Sequence, residues 1–227
     1  MTKYKYVLFD LDGTLMDTSK GITEAIAYTM KKYCKEVPDE STLRTLIGPP
    51  MQKSFQRLFD LSDEKSMEMA NVFRDVYKTD EFLFQSVVYD GIFDLFDLLK
   101  KNGIKTGIAT YKREDYAKHL LIEKGFDKYT SWMYGSDFEG KLTKADIIRN
   151  CLNSMGCDNY SESVYIGDGY SDGKNANEVG MDFIAVTYGF GFMNADDAAQ
   201  YKPVAIVNNC TEIKGLLLGT IKKNNKK

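Results

Sequence analysis

Asp10 and Asp12 follow the short apolar run Tyr4-Lys5-Tyr6-Val7-Leu8-Phe9, and Gly13 comes directly after them. Asp168 and Asp172 follow a second such run, Val164-Tyr165-Ile166-Gly167. Thr110 closes a third run that begins at Ile104, and Lys144 opens a stretch with helical spacing. Runs of this length, rich in branched and aromatic residues, read as buried strands. Ligands of open parallel sheets bind outside the C-terminal ends of the strands. If these runs share a sheet, four carboxylates and a hydroxyl meet at one edge. Like charges about 4 Å apart at an effective dielectric of about 20 cost roughly 4 kcal/mol per pair. A divalent cation removes that cost, and oxygen donors suit Mg2+. Lys144 adds a further positive charge.

The elements that must position these groups are also visible. Strands are expected at residues 4–9, 104–110, 131–135, 163–168 and 183–187. Between them, Ile92, Phe93, Leu95, Phe96, Leu98 and Leu99 repeat at helical spacing, with Gly103 placed to end the helix. Tyr116, Leu120 and Leu121 mark a second helix, and residues 144–152 a third. Alternating strands and helices imply an α/β fold with a doubly wound parallel sheet covered on both faces. Residues 19–82 break the alternation. Ile22, Ile26, Met30 and Tyr33 fall on one helical face, as do Met67, Ala70, Phe73 and Tyr77, and Gly48-Pro49-Pro50 interrupts the middle. The expectation is a smaller all-helical domain, residues 18–83, inserted after the first strand of a core made of residues 1–17 and 84–227. Its hinges are expected near residues 16–20 and 83–90.

Asp10-Leu11-Asp12-Gly13-Thr14 resembles the first motif of the haloacid dehalogenase superfamily, and Gly167-Asp168-Gly169-Tyr170-Ser171-Asp172 resembles its fourth, Gly-Asp-x-x-x-Asp. Thr110 and Lys144 fall where that family places a Ser or Thr and a lysine. The helical insertion is similar to that of the subgroup containing phosphoglycolate phosphatase and β-phosphoglucomutase. Tyr111 stands where relatives often carry Asn. The resemblance implies a magnesium-dependent phosphatase acting on a small phosphorylated metabolite. Asp10 is then the nucleophile that forms an aspartyl-phosphate, and Asp12 the general acid and base, its pKa raised by acidic neighbours. Thr110 and Lys144 hold the phosphoryl group and the nucleophile. The magnesium ligands are the Asp10 and Asp168 carboxylates and the Asp12 backbone carbonyl, with Asp172 a ligand or a group that orients metal-bound water. In the insertion, the Gly48 loop with Arg44 and Lys53 beside it, and in the core Tyr111, are candidate substrate contacts.

Other readings of the same residues fare worse. As a calcium loop, Asp10-x-Asp12-Gly13 would need Gly at the sixth position and Glu at the twelfth, where Leu15 and Gly21 stand. Asp168 and Asp172 could serve only as helix caps. A phosphomutase of the β-phosphoglucomutase type uses the same two acids and is the enzyme alternative. A phosphorylation-switch module of the receiver type is about half this length and carries its acceptor after the third strand. A catalytically silent binding module is disfavoured by the intact acids.

Composition narrows the partners. The 227 residues are 43% hydrophobic and 28% charged, with a net charge of -3. That balance gives no footprint for nucleic acid or an anionic membrane. No apolar run is long enough to span a bilayer, and no secretory leader is expected ahead of the first strand. The four cysteines, Cys34, Cys151, Cys157 and Cys210, form no Cys-x-x-Cys pair, and His119 is the one histidine. Reduced thiols in a cytoplasmic protein, monomer or homodimer, are expected. Residues 222–227 are expected to form a solvated basic tail.

Overall fold

The computed structural model describes residues 3–219; the basic tail at 222–227 lies outside the described residues. The chain divides into two compact units, one running to Met16 and resuming at Val88, the other spanning Asp17–Val87. In chain order, β1 (Tyr6–Phe9) and β2 (Met16–Asp17) lead into five helices. These are α1 (Ser19–Lys32), α2 (Glu40–Arg44), α3 (Met51–Phe59), α4 (Asp63–Tyr77) and α5 (Asp80–Leu83). Then come β3 (Val87–Val88), α6 (Ile92–Lys101), β4 (Lys105–Arg113), α7 (Glu114–Glu123), β5 (Met133–Ser136) and α8 (Lys144–Ser154). The chain continues with β6 (Ser163–Gly167), α9 (Tyr170–Val179), β7 (Asp182–Val186), α10 (Ala195–Ala199), β8 (Ala205–Val207) and α11 (Cys210–Leu218).

Six strands form one parallel sheet in the order β5-β4-β1-β6-β7-β8, while β2 and β3 form a separate two-stranded sheet. The path of the chain explains where a site must lie. From β1 it winds outward through β4 and β5, then crosses back to β6 and winds the other way through β7 and β8. The strand order therefore reverses between β1 and β6, and the crevice at such a switch point is where open α/β sheets bind ligands. Phe9 pairs with Ile166 across that junction, so Asp10 and Asp168 emerge side by side.

Side chains alternate across the sheet. Leu8, Ala109, Tyr165 and Phe183 face α8 and α9, where Ile148, Cys151, Leu152 and Ala176 complete the buried layer. Phe9 turns to the other face and stacks on Phe96 of α6, with ring centroids 5.0 Å apart. Each fully buried side chain of this size contributes about 1.5–3 kcal/mol.

The helical unit builds its own core. Ile22, Ile26 and Met30 of α1, Phe55 of α3 and Met69, Ala70, Phe73 and Tyr77 of α4 are buried. Phe73 stacks on Tyr77 with centroids 5.5 Å apart. Asp39 caps α2 by accepting from Thr42 N at 2.8 Å, and Ser62 caps α4. Of the expected α4 face, Ala70, Phe73 and Tyr77 are buried, whereas Met67 is only half-buried and Met69 is buried in its place. Tyr33, expected on the α1 face, is half-buried at the helix end and donates to Glu68.

Three strand expectations also change. The strand expected to stop at Thr110 continues to Arg113, because its pairing with β5 shifts register between Ala109 and Arg113. The strand expected at 131–135 begins at Met133. A sixth strand, β8, was not anticipated; it has three residues, follows Pro203 and is only partly buried, so it carries little of the strand pattern.

Candidate active site

Asp10 lies one residue beyond β1, anchored by its amide, which donates to Ile166 O at 2.9 Å. Lys144 is the first residue of α8. The helix begins there because Thr143 caps it: Thr143 Oγ1 accepts from Asp146 N, and Asp146 Oδ2 accepts from Thr143 N. From that position the Lys144 ammonium donates to Asp10 Oδ1 at 2.6 Å and pairs with Asp172 Oδ1. Asp172 sits in the first turn of α9, where its other oxygen accepts from Gly169 N at 2.9 Å. It therefore caps its helix and faces Lys144 as well.

Asp168 fills the turn between β6 and α9. Its Oδ2 accepts from Phe190 N at 2.6 Å and Gly191 N at 3.0 Å, both in the loop after β7. Two glycines make room for it. A Cβ at Gly13, whose φ is +78°, would lie 2.1 Å from Asp168 Oδ2, and one at Gly189 would lie 2.3 Å from it.

Oxygens of Asp10, Asp168 and Asp172 lie within 4.8 Å of one another, and all three residues are buried. Burial pushes the Asp10 carboxyl up to about 7; the Lys144 charge opposes this, and the Asp172 and Asp12 charges add to it. Burial, then the Asp172 and Asp10 charges, hold Asp168 well above the usual carboxylate range. Burial works to lower the Lys144 pKa, but the Asp10 and Asp172 carboxylates outweigh it and set it well above the ordinary lysine value. With all three ionised, the carboxylates would outnumber the one ammonium by two formal negative charges in a desolvated space, which is why burial and mutual repulsion hold Asp10 and Asp168 toward their protonated forms. A divalent cation matches that excess, and the all-oxygen donor set suits magnesium. The residues present therefore fit the metal.

Asp12 is oriented differently. Its Oδ1 pairs with Lys112 Nζ at 2.8 Å, and its side chain is not among the three clustered carboxylates. The expectation of acidic surroundings did not include this cation. Lys112 is a buried residue of β4, and its backbone amide donates to Thr110 Oγ1 at 3.1 Å. Sequence reasoning missed it by ending the strand at Thr110. The two-residue period of a strand carried past Thr110 would have put Lys112 on the same side. Tyr111 packs against the core beside α8, with Lys144 Nζ 5.7 Å from its ring centre.

The other expected contacts belong to the helical unit. Gly48, with φ +103°, lies in the turn between α2 and α3, and Lys53 is exposed on α3. Arg44 pairs with Glu40 at 3.0 Å and borders a cavity of about 510 Å³ within that unit, shared with Asp17, Lys20, Thr23 and Gln85. His119 is exposed on α7, and all four cysteines are free thiols. Among the described residues, no helix is long and apolar enough to cross a membrane.

The chain is similar to known proteins over most of its length. The family model described as haloacid dehalogenase-like hydrolase matches residues 7–186, from β1 to the end of β7. A 5'-nucleotidase of Pseudomonas aeruginosa is 30% identical over 94% of each chain. The pyrophosphatase PpaX of Bacillus velezensis is 33% identical over 75% of this chain and 78% of its own. A crystal structure described as that of a predicted phosphatase from Clostridium acetobutylicum superposes with a TM-score of 0.88 at 34% identity, covering 95% of this chain and 99% of that one. An acid cluster at the switch point of a parallel sheet, a family match running through both acid-bearing strands and phosphatase relatives of matching length agree: the chain belongs to the haloacid dehalogenase-like hydrolase family and is a phosphatase.

Proposed function

We propose that this phosphatase is magnesium-dependent and hydrolyses a small phosphorylated metabolite through an aspartyl-phosphate on Asp10. The observation that carries the reading is the buried group in which Lys144 bridges Asp10 and Asp172 while Asp168 completes the acid cluster. The Asp10 and Asp168 carboxylates and the Asp12 backbone carbonyl would hold the ion, with Asp172 a ligand or an orienter of its waters. Bound magnesium would offset the negative charge of nucleophile and phosphate and act as a Lewis acid on a phosphoryl oxygen.

The chain's own residues account for the bond changes. A carboxylate oxygen of Asp10 attacks phosphorus while the bond to the leaving oxygen breaks, and Asp12 gives that oxygen a proton. Water then attacks the same phosphorus, Asp12 takes its proton, and the phosphate–Asp10 bond breaks. Lys144 keeps Asp10 oriented and offsets charge on the phosphoryl group, and Thr110 offers its hydroxyl to a phosphoryl oxygen. Uncatalysed monoester hydrolysis is so slow that roughly 20 kcal/mol of barrier lowering is required, and preorganised charge is the largest usual source. Substrate choice is assigned to the helical unit, whose chain departs from the core a few residues after Asp12.

The test is a screen for free phosphate release with and without magnesium. It covers nucleoside monophosphates, pyrophosphate, phosphoglycolate, sugar phosphates and phosphopeptides. Small metabolites are expected to outpace phosphopeptides. Isomer formation without phosphate release would identify a mutase instead, and no metal-dependent release from any of them would overturn the reading.

A further inference from the structure

Lys112 is a second buried lysine beside the acid cluster, and nothing in the reaction as proposed uses it. It lies two residues beyond Thr110, in the part of β4 where pairing with β5 shifts register between Ala109 and Arg113. Bulges and register shifts re-aim side chains and recur beside active sites. The side chain is 4% exposed, its ammonium lies 2.8 Å from Asp12 Oδ1, and the Tyr116 ring centre is 6.0 Å away. The neighbouring cation, Arg113, is engaged elsewhere, paired with Asp115 at 2.6 Å and stacked on the rings of Tyr116 and Phe138.

A buried lysine–aspartate pair is a poor way to stabilise a fold. Desolvation of the two charges offsets most of their attraction, and apolar residues of similar volume commonly do as well. Such a pair does fix direction. A carboxylate held at one oxygen by a buried cation has its rotational freedom restricted. Through its backbone amide, Lys112 also ties the hydroxyl of Thr110. One residue thus orients two groups of the proposed reaction, one from β4 and one from the loop after β1.

We infer that Lys112 is a positioning residue for proton transfer: it holds the Asp12 carboxylate apart from the Asp10–Asp168–Asp172 cluster and aimed at the leaving oxygen. The inference rests on the acid–base role proposed for Asp12. Both half-reactions need that carboxylate in one place, first to protonate the departing oxygen and then to deprotonate water. An acid held out of line matters most for a strongly basic leaving group, which cannot depart without its proton.

The experiment is single-turnover phosphorylation with para-nitrophenyl phosphate, whose leaving group departs easily, and phenyl phosphate, whose leaving group does not. The proteins are the full chain and its Lys112→Met, Lys112→Gln, Lys112→Arg, Asp12→Asn and Asp12→Asn/Lys112→Met variants. The loss in Lys112→Met is expected to be about tenfold greater for phenyl phosphate than for para-nitrophenyl phosphate, a part of the roughly 10²–10⁴-fold that a well-placed general acid supplies. Lys112→Arg should restore part of that ratio, and the double variant should be no slower than Asp12→Asn. Lys112→Gln repeats the comparison with a polar neutral side chain should Lys112→Met melt at a lower temperature. Equal losses on both substrates, or an added loss in the double variant as large as in the wild-type background, would overturn the assignment. If Asp12→Asn is itself blind to the leaving group, the acid–base reading fails. If Asp12→Asn is sensitive and the neutral Lys112 variants are not, only the positioning role fails.

Discussion

In the α/β unit, Lys144 meets Asp10 from 134 positions away, and both side chains are less than a tenth exposed. In the helical unit, Arg44 meets Glu40 four residues away and Lys78 meets Asp75 three residues away, all at the surface. The second kind of pair is what helical periodicity produces unaided, and each contributes a few tenths of a kcal/mol. The first kind requires several elements to converge and removes charge from water, a net gain for folding only when geometry and partners are excellent. Here the partners are unbalanced, three acids to one lysine. A protein that maintains such an excess is maintaining a site, whereas the Arg44 pair is consistent with an ordinary helix surface. The contrast predicts that variants in the two regions differ in kind, activity against stability, as well as in size.

The largest effect is expected at Asp10. Asp10→Asn should reduce turnover by about 10⁴-fold or more, as loss of a nucleophile does elsewhere. The same change removes one of three crowded acids and leaves Lys144 paired with Asp172. Thermal unfolding should therefore occur at the wild-type temperature or above it. Acid-stable label from phosphorylated substrate should appear on wild type and be lost in the variant. Label on another residue would reassign the nucleophile.

Lys144→Met sharpens the comparison from the opposite side, because it leaves three buried carboxylates with no ammonium. Removing one partner of a buried pair typically costs about 3–5 kcal/mol. The variant should lose both turnover and stability, read by denaturant unfolding, and magnesium should restore part of the stability and little of the turnover. A stability loss below about 1 kcal/mol would mean that the acids are not charged against this lysine in the folded protein.

Magnesium offers a reading of the site without substrate. An ion that binds only the folded state stabilises it by about 1.4 kcal/mol for each tenfold excess over its dissociation constant. Magnesium should raise the melting temperature of wild type, chelation should reverse the rise, and Asp168→Asn should abolish or greatly weaken it. The variant should also need at least about tenfold more magnesium for activity. An unchanged shift in Asp168→Asn would move the metal to other residues.

Much of this contrast was legible in the sequence, for definable reasons. The acids at 10, 168 and 172 stand at or just past strand ends, so strand reading alone gathers them, while it places Asp12 at the same edge without its lysine partner. Thr143 before Lys144 marks a helix start. What escaped was whatever depends on pairing between distant segments. The Lys112–Asp12 contact arises because β4 runs on past Thr110 with a register shift; the strand period could have put Lys112 on the side of Thr110, but nothing in Tyr111-Lys112-Arg113 names Asp12 as its partner. Strand β8 is held by its pairing to β7 more than by its own three residues. In α4 the helix itself was clear, and the choice of Met69 over Met67 for the buried face was set by tertiary packing.

The smallest expected effect is in the helical unit. Arg44 is half-exposed and holds only its local partner, and Lys53 is exposed on α3. Arg44→Ala with Lys53→Ala should therefore change unfolding free energy by no more than about 0.5 kcal/mol. Activity tells whether the pair does more than decorate a surface. A phosphate ester carrying a second anionic group would draw on their charge, whereas a neutral ester of similar size would not. If these residues read substrate, the double variant should raise KM for the doubly anionic ester several-fold, leave kcat nearly unchanged and leave the neutral ester unaffected. Raising ionic strength should shrink the wild-type preference in the same direction, since exposed charges are screened within about 10 Å at 0.1 M salt. Equal kinetics for the two esters in wild type and variant would assign substrate reading to other residues of the unit, of which Lys20 and Thr23, lining the same cavity as Arg44, are the first to test. Loss of stability well beyond 0.5 kcal/mol would instead break the comparison itself, because it would show that the helical unit, too, relies on these charges to hold its fold.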